Sequence, residues 1–250
     1  MNKKIQRQNL IYQLLTNGEK LRVKDIASQL QVTPETVRND LREMEQRKQV
    51  IREHGYARSV STLDEVPIRI RQLDNLEQKK RISYQAFRLI QDDQIIWLDA
   101  SSTIALGIPM LASHKNLTVV TDGIPQAYQT SLMNIRTILC GGPVSNVGLR
   151  TSGNDIISMI DRVHFDIAFL GSDGLKNARG FTALNYDEIA IKSHLLIQSD
   201  QIVVAMDTSK FNKKAGYKIC DYKDVDILVT NTLTKAQKEI VYEIPKIIEV

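Results

Sequence analysis

Apolar residues in the first 60 positions recur at the spacing of helices. A short helix is predicted where these positions are three or four residues apart, at Val23, Ile26, Ala27 and Leu30. A second helix begins sharply after Thr33, which can cap the first free N–H groups. Two short helices that are joined by a tight turn, with a small residue at their crossing, predict a helix-turn-helix. The alternative is an ordinary helical hairpin.

A short β-hairpin is predicted directly after the second helix. Residues 50–52 and 56–58 flank Glu53-His54-Gly55, with Gly55 near the turn. A hairpin that follows a helix-turn-helix is the layout of a winged helix. The second helix of such a unit is suited to the major groove of DNA, with its N-terminal residues toward the base edges. We therefore predict a winged helix-turn-helix DNA-binding domain over residues 1–60.

Beyond residue 90, short apolar runs alternate with helical stretches. Six buried strands are predicted, over residues 95–98, 117–120, 135–139, 165–170, 202–205 and 225–229. Helical stretches are predicted between them, around residues 103–113, 124–132, 153–160 and 185–198. This alternation predicts a mainly parallel sheet with helices on both faces, in an α/β domain over residues 73–250.

The two predicted domains are joined by a stretch that has no periodicity. Residues 59–67 are rich in turn-forming and acidic side chains, and Pro67 disfavours a helical conformation at Val66. The linker is placed at residues 61–72. From about residue 70 to residue 90 the pattern becomes helical, and this helix either bridges the two domains or supports a dimer contact.

The positive charge of the chain is concentrated in its first quarter. Residues 1–60 carry 12 Lys and Arg against seven Asp and Glu, whereas the remaining residues carry 21 against 22. Basic surfaces bind the DNA backbone by releasing counterions, although so modest an excess also fits a solvated surface. The predicted DNA-binding residues are Arg22, Lys24, Thr33, Pro34, Glu35, Thr36, Arg38, Asn39, Arg42, Arg52, His54 and Arg58. For His54, an exposed loop position without DNA contact is an equal alternative.

Small and polar residues follow five of the predicted strands. In open parallel sheets, ligands bind beyond the carboxyl ends of the strands. Hydroxyl and backbone N–H groups at the start of a helix suit a phosphate, and carboxylates accept hydrogen bonds from sugar hydroxyls. For any single loop, an ordinary turn is the alternative. The predicted effector-binding residues are Asp99, Ser101, Ser102, Thr103, Thr121, Asp122, Gly141, Gly142, Asp173, Glu188, Lys192, Asp207 and Lys210.

Glu188 and Lys192 allow two interpretations. They are four residues apart on a predicted helix, so they lie on one face of it. As an exposed ion pair they would contribute only about 0.3–0.5 kcal/mol. The second interpretation places both side chains at the rim of the ligand pocket.

The chain carries no recognisable cofactor or catalytic motif. The glycines around Gly141 do not form a dinucleotide fingerprint, because Pro143 interrupts them and no helix opens directly after them. No catalytic Ser, His and Asp or Cys and His set can be assembled. Cys140, Cys220 and the four histidines lack metal-ligand spacing, so we predict no metal and no cofactor, and two packing cysteines. There is no membrane-spanning run and no signal pattern, so we expect a cytoplasmic protein.

The N-terminal residues resemble the DeoR-type family of bacterial transcriptional regulators. The matching positions are Arg7, Ile11, Leu15, Thr33, Thr36, Val37, Arg38, Asn39, Asp40 and Leu41. Further matching blocks lie at residues 99–103, 121–122, 141–142, 171–174, 188, 192 and 207–210. The resemblance implies a sensor domain that is related to ribose-phosphate isomerases and senses a phosphorylated sugar without converting it. It also implies a dimer or tetramer that represses an operon for carbohydrate uptake or catabolism.

Three positions depart from the pattern of that family. Ser101 stands where the family usually has Gly, and Asp122 stands where it commonly has Asn. Both positions bear on which effector fits. Gln31 lies in the turn of the helix-turn-helix, where Gly or Asn is frequent. A left-handed backbone conformation at Gln31 would cost roughly 1–2 kcal/mol.

These observations predict a sequence-specific DNA-binding transcriptional regulator rather than an enzyme. Its partners would be double-stranded operator DNA, a phosphorylated sugar and further copies of its own chain, and no membrane. Repression is the expected sign, and activation stays open. The alternative is an active sugar-phosphate isomerase with a DNA-binding appendage, in which Glu188 and Lys192 are the candidates for base and acid.

Overall fold

The computed structural model describes residues 3–15, 20–46, 49–59 and 65–250 of the chain. The chain separates into two units, residues 1–64 and residues 65–250. Each unit has its own set of buried apolar side chains.

The first unit combines three helices with a small antiparallel sheet. Its elements are α1 (Lys3–Leu15), β1 (Leu21–Arg22), α2 (Val23–Gln29), α3 (Pro34–Gln46), β2 (Val50–Glu53) and β3 (Tyr56–Ser59). The strand order is β1-β3-β2. Helices α2 and α3 form the helix-turn-helix, and β2 and β3 form the wing. The predicted winged helix-turn-helix is confirmed.

Backbone hydrogen bonds and a side-chain cap hold the turn between α2 and α3. Gln31 has a left-handed backbone with φ 52°. The Val32 N–H donates to the Ala27 carbonyl at 3.0 Å, a bond that commonly closes a helix at such a residue. Thr33 Oγ1 accepts from the Thr36 N–H at 3.2 Å, and α3 begins at the next residue, Pro34. The expected cap and the left-handed Gln31 are both present.

A partly buried ion pair ties α1 to α3. Arg7 Nε donates to Asp40 Oδ2 at 2.5 Å, and Arg7 Nη2 donates to Asp40 Oδ1 at 3.2 Å. The hydrogen bond to Asp40 raises the pKa of Arg7. The buried apolar residues of the three helices include Ile11, Leu15, Ile26, Val37, Leu41 and Met44. Asp40 therefore orients α3 from its buried side.

The second unit is an α/β domain. Its strands are β4 (Ile95–Leu98), β5 (Thr118–Thr121), β6 (Arg136–Leu139), β7 (Val144–Ser145), β8 (Arg150–Thr151), β9 (Ile167–Leu170), β10 (Phe181–Ala183), β11 (Ile202–Ala205), β12 (Tyr217–Cys220), β13 (Ile227–Thr230) and β14 (Lys246–Glu249). Its α-helices are α4 (Ile68–Arg71), α5 (Leu76–Phe87), α6 (Ile124–Leu132), α7 (Asn154–Ile160), α8 (Asp187–Gln198) and α9 (Lys235–Ile240). The 3₁₀ helices are Ile104–Ser113, Thr208–Asn212 and Tyr222–Asp224.

Seven strands form one parallel sheet in the order β14-β13-β11-β9-β4-β5-β6. Successive residues of β4 belong to cores on opposite faces of this sheet. Trp97 packs edge-to-face on Phe165, with 5.9 Å between ring centroids. Ile96 and Leu98 belong to the other core, together with Phe87 of α5. The six predicted strands and the mainly parallel sheet are confirmed. The expected burial of the strand at residues 135–139 is wrong, because β6 lies at the edge of the sheet and exposes Arg136 and Leu139.

Several parts of the second unit differ from the sequence prediction. The short strands β7, β8, β10 and β12 and the helix α9 are not predicted. Strand β14 is not predicted, because its apolar run is only Ile247 and Ile248 between charged residues. The single helix predicted over residues 70–90 is two helices, α4 and α5. They are separated at Asn75, whose φ is 53°. Asn adopts the left-handed region more readily than most residues, so the chain turns there.

Residues 65–72, which the sequence analysis assigned to the linker, belong to the second unit. The Ile68 N–H donates to the Val147 carbonyl at 2.9 Å. Ile68 and Ile70 are each 3% exposed. Two buried isoleucines explain why this stretch is docked instead of extended between the units. Residues 61–64 of the predicted linker lie outside the described residues.

Candidate functional site

All twelve predicted DNA-binding residues are at least partly exposed on the first unit. On α3, Arg38 Nη1 lies 2.9 Å from Glu35 Oε2, and Arg42 Nη1 donates to Asn39 Oδ1 at 3.1 Å. Exposed pairs of this kind contribute roughly 0–1 kcal/mol. DNA phosphates or base edges can therefore replace these partners at little cost.

Two further cations, Lys20 and Arg22, lie at the ends of β1, around the ring of Tyr56. Arg22 Nε donates to the Tyr56 hydroxyl at 2.8 Å, across the β1–β3 pair. Lys20 Nζ lies 4.9 Å from the centroid of the same ring. The sequence analysis missed Lys20 and Tyr56, because their relation to Arg22 becomes visible only once β1 is known.

The wing carries cations that are paired with acids. Arg58 Nε lies 3.1 Å from Glu53 Oε1, and Arg52 Nη1 lies 3.4 Å from Glu45 Oε2. His54 is exposed at the tip of the wing, where it has φ 22° and the following Gly55 has φ 83°. Positive φ at both central residues is typical of the tight turns that join hairpin strands.

The loops at the carboxyl ends of β4, β9 and β11 meet at a polar pocket in the second unit. These loops are residues 99–103, 171–173 and 206–210. Eight of the predicted effector-binding residues line this pocket, namely Asp99, Ser101, Ser102, Thr103, Asp173, Glu188, Lys192 and Lys210. The expectation that ligands bind beyond the carboxyl ends of parallel strands therefore identified most of the residues of this pocket.

Thr121 and Asp122 lie behind the pocket and support the end of β4. Thr121 Oγ1 donates to the Leu98 carbonyl at 2.5 Å. Asp122 Oδ1 accepts from the Ala100 N–H at 3.1 Å, and its side chain is fully enclosed. Burial raises the pKa of Asp122 well above its ordinary value, and the nearby Asp99 carboxylate adds to this. The two residues brace the loop instead of lining the pocket.

Three other predicted effector residues do not line the pocket either. Asp207 Oδ1 accepts from the Ser209 N–H at 3.0 Å and so caps the 3₁₀ helix Thr208–Asn212. Gly141 and Gly142 are exposed after β6. Gly142 has φ 132°, a conformation that side chains rarely adopt, which gives it a backbone role.

Lys192 lies at the centre of the buried charges. Its Nζ is 3.1 Å from Asp99 Oδ2, 2.8 Å from Glu188 Oε2 and 3.2 Å from the Gly171 carbonyl. Burial alone would lower the pKa of Lys192, but the carboxylates of Asp99 and Glu188 outweigh it and raise that pKa. Burial also raises the pKa of Glu188, in spite of Lys192. The interpretation of Glu188 and Lys192 as an exposed surface pair is wrong.

Two arginines and a glutamate complete the charge network, and the sequence analysis missed all three. Arg150 donates to both Glu65 oxygens, at 2.6 and 2.9 Å, and its Nη2 is 3.0 Å from Glu188 Oε1. Arg71 Nη2 donates to Glu65 Oε1 at 2.7 Å, and Arg71 Nη1 donates to Asp173 Oδ1 at 3.4 Å. Glu65 and Arg71 belong to the predicted linker, and Arg150 follows no strand of the main sheet.

A buried lysine of α5 reaches the same place. Lys79 is 3% exposed, and its Nζ is 3.3 Å from Ser102 Oγ and also donates to the Arg71 carbonyl. Burial, and after it the charge of Lys210, lower the pKa of Lys79 to about 8. One sequence signal could have identified Lys79. It lies three residues before the apolar Ile82, so both residues share one face of the predicted helix.

The pocket is nearly filled by its own side chains. Its lining carries four cations, at Arg71, Arg150, Lys192 and Lys210, against three carboxylates. Burial alone would raise the pKa of Asp173, but the charges of Arg71, Lys210 and Lys192 lower it. The free space is about 20 Å³, which holds one water molecule. A larger ligand therefore requires side chains to move.

The described residues give no support for a metal site, a reactive thiol or a membrane-spanning helix. They contain no group of three His, Cys, Asp or Glu side chains that could hold a metal ion. Cys140 and Cys220 are free buried thiols, and burial raises the pKa of each to about 12, which fits a packing role. In the described part of the chain, no helix has the length and apolar character needed to cross a membrane.

Comparison with known proteins gives matches along nearly the whole chain. A family model for the DeoR-like helix-turn-helix domain matches residues 7–63, and one for the DeoR C-terminal sensor domain matches residues 74–232. The transcriptional regulator GolR of Listeria innocua is 30% identical over 92% of each chain. The glycerol-3-phosphate regulon repressor of Escherichia coli is 25% identical over 92% of this chain and 91% of its own.

Two further matches are a transcriptional activator and the solved structure of an enzyme. The L-fucose operon activator of Escherichia coli is 26% identical over 91% of this chain and 95% of its own. Among solved structures, ribose 5-phosphate isomerase A from Methanocaldococcus jannaschii is 19% identical over 56% of each chain, with a TM-score of 0.42.

Proposed function

The chain belongs to the DeoR family of transcriptional regulators, and we propose that it represses an operon for carbohydrate uptake or catabolism under the control of a phosphorylated sugar. The named relatives of similar length are DNA-binding regulators, so an isomerase with a DNA-binding appendage is not favoured. Repression is the sign of the glycerol-3-phosphate relative, whereas the fucose relative is an activator.

The observation that carries this proposal is the convergence of eight predicted effector residues on one pocket. The turn at residues 101–103 offers hydroxyl and N–H donors to a phosphate, and Lys210 offers a countercharge. Lys79 adds a second cation, because its Nζ lies 3.3 Å from Ser102 Oγ. The carboxylates of Asp99 and Asp173 suit the hydroxyls of a sugar. A phosphorylated sugar carries both the phosphate and the hydroxyl groups that these side chains suit.

The first unit would read operator DNA with α3. Residues in the first turns of such a helix face base edges, so Arg38 is assigned to a base and Arg42, further along, to a phosphate. Both side chains are exposed. Arg22 and the wing residues would contact the flanking backbone. A regulator of this kind works in the compartment that holds the DNA.

A homo-oligomer follows from the small size of the DNA-reading unit. One winged helix reads only a short site, so useful specificity requires paired units on a repeated or inverted site. We assign the association to the second unit and propose a dimer or a tetramer. Light scattering at micromolar concentration should show an oligomer with and without DNA, and a monomer in both conditions would refute this part.

The experiment that tests the proposal is a DNA-binding titration with a panel of phosphorylated sugars. DNA fragments from upstream of the gene are titrated with the full chain in a gel-shift assay, with each compound and with its unphosphorylated parent. We expect one phosphorylated compound to change the affinity, and its parent sugar to have no effect. Incubation of the same compounds with the protein should give no isomerised product. Product formation would support the isomerase alternative.

A further inference from the structure

Glu65 is bound as an anion by Arg71 and Arg150, two of the arginines that line the pocket. Its carboxylate receives three charged hydrogen bonds, two from Arg150 at 2.6 and 2.9 Å and one from Arg71 at 2.7 Å. The two-oxygen contact with Arg150 is the geometry that guanidinium groups also use for phosphates. The lining of the pocket has one more cation than carboxylates, and Glu65 balances this excess.

Residues 65–71 are docked through backbone as well as side-chain contacts. The Ile68 N–H donates to the Val147 carbonyl at 2.9 Å, and Lys79 Nζ donates to the Arg71 carbonyl. The adjoining loop is closely packed at Gly148. A Cβ there would lie 1.9 Å from Arg150 Nη1 and 3.1 Å from Glu65 Oε1, so a side chain at this position would displace the guanidinium.

The arginines retain capacity for another anion. Arg71 Nε is buried and has no hydrogen-bond partner among the described residues. A buried donor without a partner is costly, and a ligand oxygen would satisfy it. The charge of Arg71 is also close enough to Lys210 to help lower the pKa of that lysine, after burial itself and the charge of Lys213. Arg71 thus belongs both to the Glu65 contact and to the cationic end of the pocket.

We propose that the phosphate of the effector displaces the Glu65 carboxylate from Arg71 and Arg150, and that the released segment 65–71 carries the signal out of the sensor. This inference rests on the proposed function, because it assumes a phosphorylated ligand in this pocket. Glu65 directly follows residues 1–64, which form the first unit. Release of the segment would therefore lengthen the connection between the units.

The first experiment compares the affinity of full-length proteins for inorganic phosphate by calorimetry at constant ionic strength. Glu65→Gln removes the competing charge, so phosphate should bind about tenfold more tightly than in the parent protein, since less binding energy is spent on opening the pocket. Glu77→Gln, an exposed change on α5, should bind phosphate as the parent does. Equal affinity of the parent and Glu65→Gln, including no measurable binding by either, would overturn the proposal.

The second experiment needs no substitution and so remains decisive if Glu65→Gln fails to fold. Hydrogen exchange is followed in the parent protein with and without saturating phosphate. Exchange in the peptide over residues 65–72 should become faster, because the Ile68 amide loses its bond to Val147, while strand β13 should not change. Slower or unchanged exchange over residues 65–72 would contradict displacement.

The displacement mechanism and the proposed function can fail separately. If a phosphorylated sugar still alters DNA binding and Lys210→Ala abolishes that response, the proposed function stands. Failure of the Glu65 experiments would then remove only the displacement mechanism. If no phosphorylated compound binds the parent protein, the proposed function itself fails.

Discussion

At the scale of single residues, Gln31 is strained in a way that can be relieved. Its φ of 52° costs a side chain roughly 1–2 kcal/mol, whereas glycine adopts it freely but loses about 0.5–1 kcal/mol of chain entropy. Gln31→Gly should therefore stabilise the first unit by about 0.5–1 kcal/mol. Hydrogen exchange of the α3 amides in the full chain should become several-fold slower.

The neighbouring Gln29 provides the control for this change. Gln29 is the last residue of α2, where glycine weakens a helix. Gln29→Gly should therefore speed the same exchange. If Gln31→Gly also speeds it, the left-handed conformation is not the source of strain.

Asp122 is a buried carboxyl whose pKa the fold raises. Burial raises its pKa above the value in the unfolded chain, so the folded state binds more protons between these two values. By linkage, the free energy of unfolding falls as pH rises through that window. Asp122→Asn lacks this titration, so its stability relative to the parent should grow as pH rises from about 4.

Denaturation midpoints measured across a pH series test the Asp122 prediction. Asp187→Asn, an exposed change at the start of α8, should track the parent. A pH-independent difference between Asp122→Asn and the parent would show that Asp122 is ionised in the folded protein. The family pattern, which commonly has Asn here, is consistent with a neutral side chain at this position.

The site residues divide by how the chain brings them together. Asp99, Asp173 and Lys210 were predictable, because each follows a buried strand and parallel strands end at one edge. Arg150 and Glu65 were not, since their meeting depends on how two irregular segments fold back onto that edge. No periodicity in the sequence encodes such a contact.

At the scale of elements, the start of α3 determines sequence recognition. Arg38 lies in its second turn, is exposed and pairs with Glu35 alone among the described residues. Arg38→Ala should cost about 1–3 kcal/mol of specific binding by removing a bidentate contact with a base. Binding to unrelated DNA should change much less.

Arg42→Ala is the matched comparison, because Arg42 is assigned to a phosphate. Arg42→Ala should weaken binding to operator DNA and to unrelated DNA about equally, and it should reduce the salt dependence of binding. Gel-shift titrations of both variants on both DNAs provide the measurement. If Arg38→Ala binds its operator like the parent, the placement of α3 is wrong.

Strands were predictable where apolar residues predominate along them, which holds for the inner strands and also for the edge strand β6. The inner strands such as β9 and β11 are buried at every residue, so they read as unbroken apolar runs. Strand β14 lies at the edge of the sheet and has exposed charged ends, which hides it. The break between α4 and α5 depends on Asn75, whose side chain donates to Asp207 at 3.1 Å. That partner is more than 100 residues away in the chain.

At the scale of the whole molecule, sensing and DNA binding must be coupled in both directions. If the effector changes operator affinity by some factor, operator DNA changes effector affinity by the same factor. A substitution that weakens effector binding alone, without a change in the first unit, therefore separates sensing from DNA binding. Lys210 is the residue best placed for this, because it lines the pocket and lies outside residues 1–64.

Lys210→Ala should remove a charge-assisted hydrogen bond to the phosphate and lower effector affinity by roughly 1.5–3 kcal/mol. DNA binding without effector should persist, while the response to the sugar phosphate should be lost or need far higher concentrations. Calorimetry with the active compound and gel shifts with and without it provide the measurements, and Lys214→Ala, an exposed change nearby, is the control. Unchanged effector affinity would show that Lys210 only solvates its loop. Loss of DNA binding without effector would instead show that the loop maintains the sensor fold.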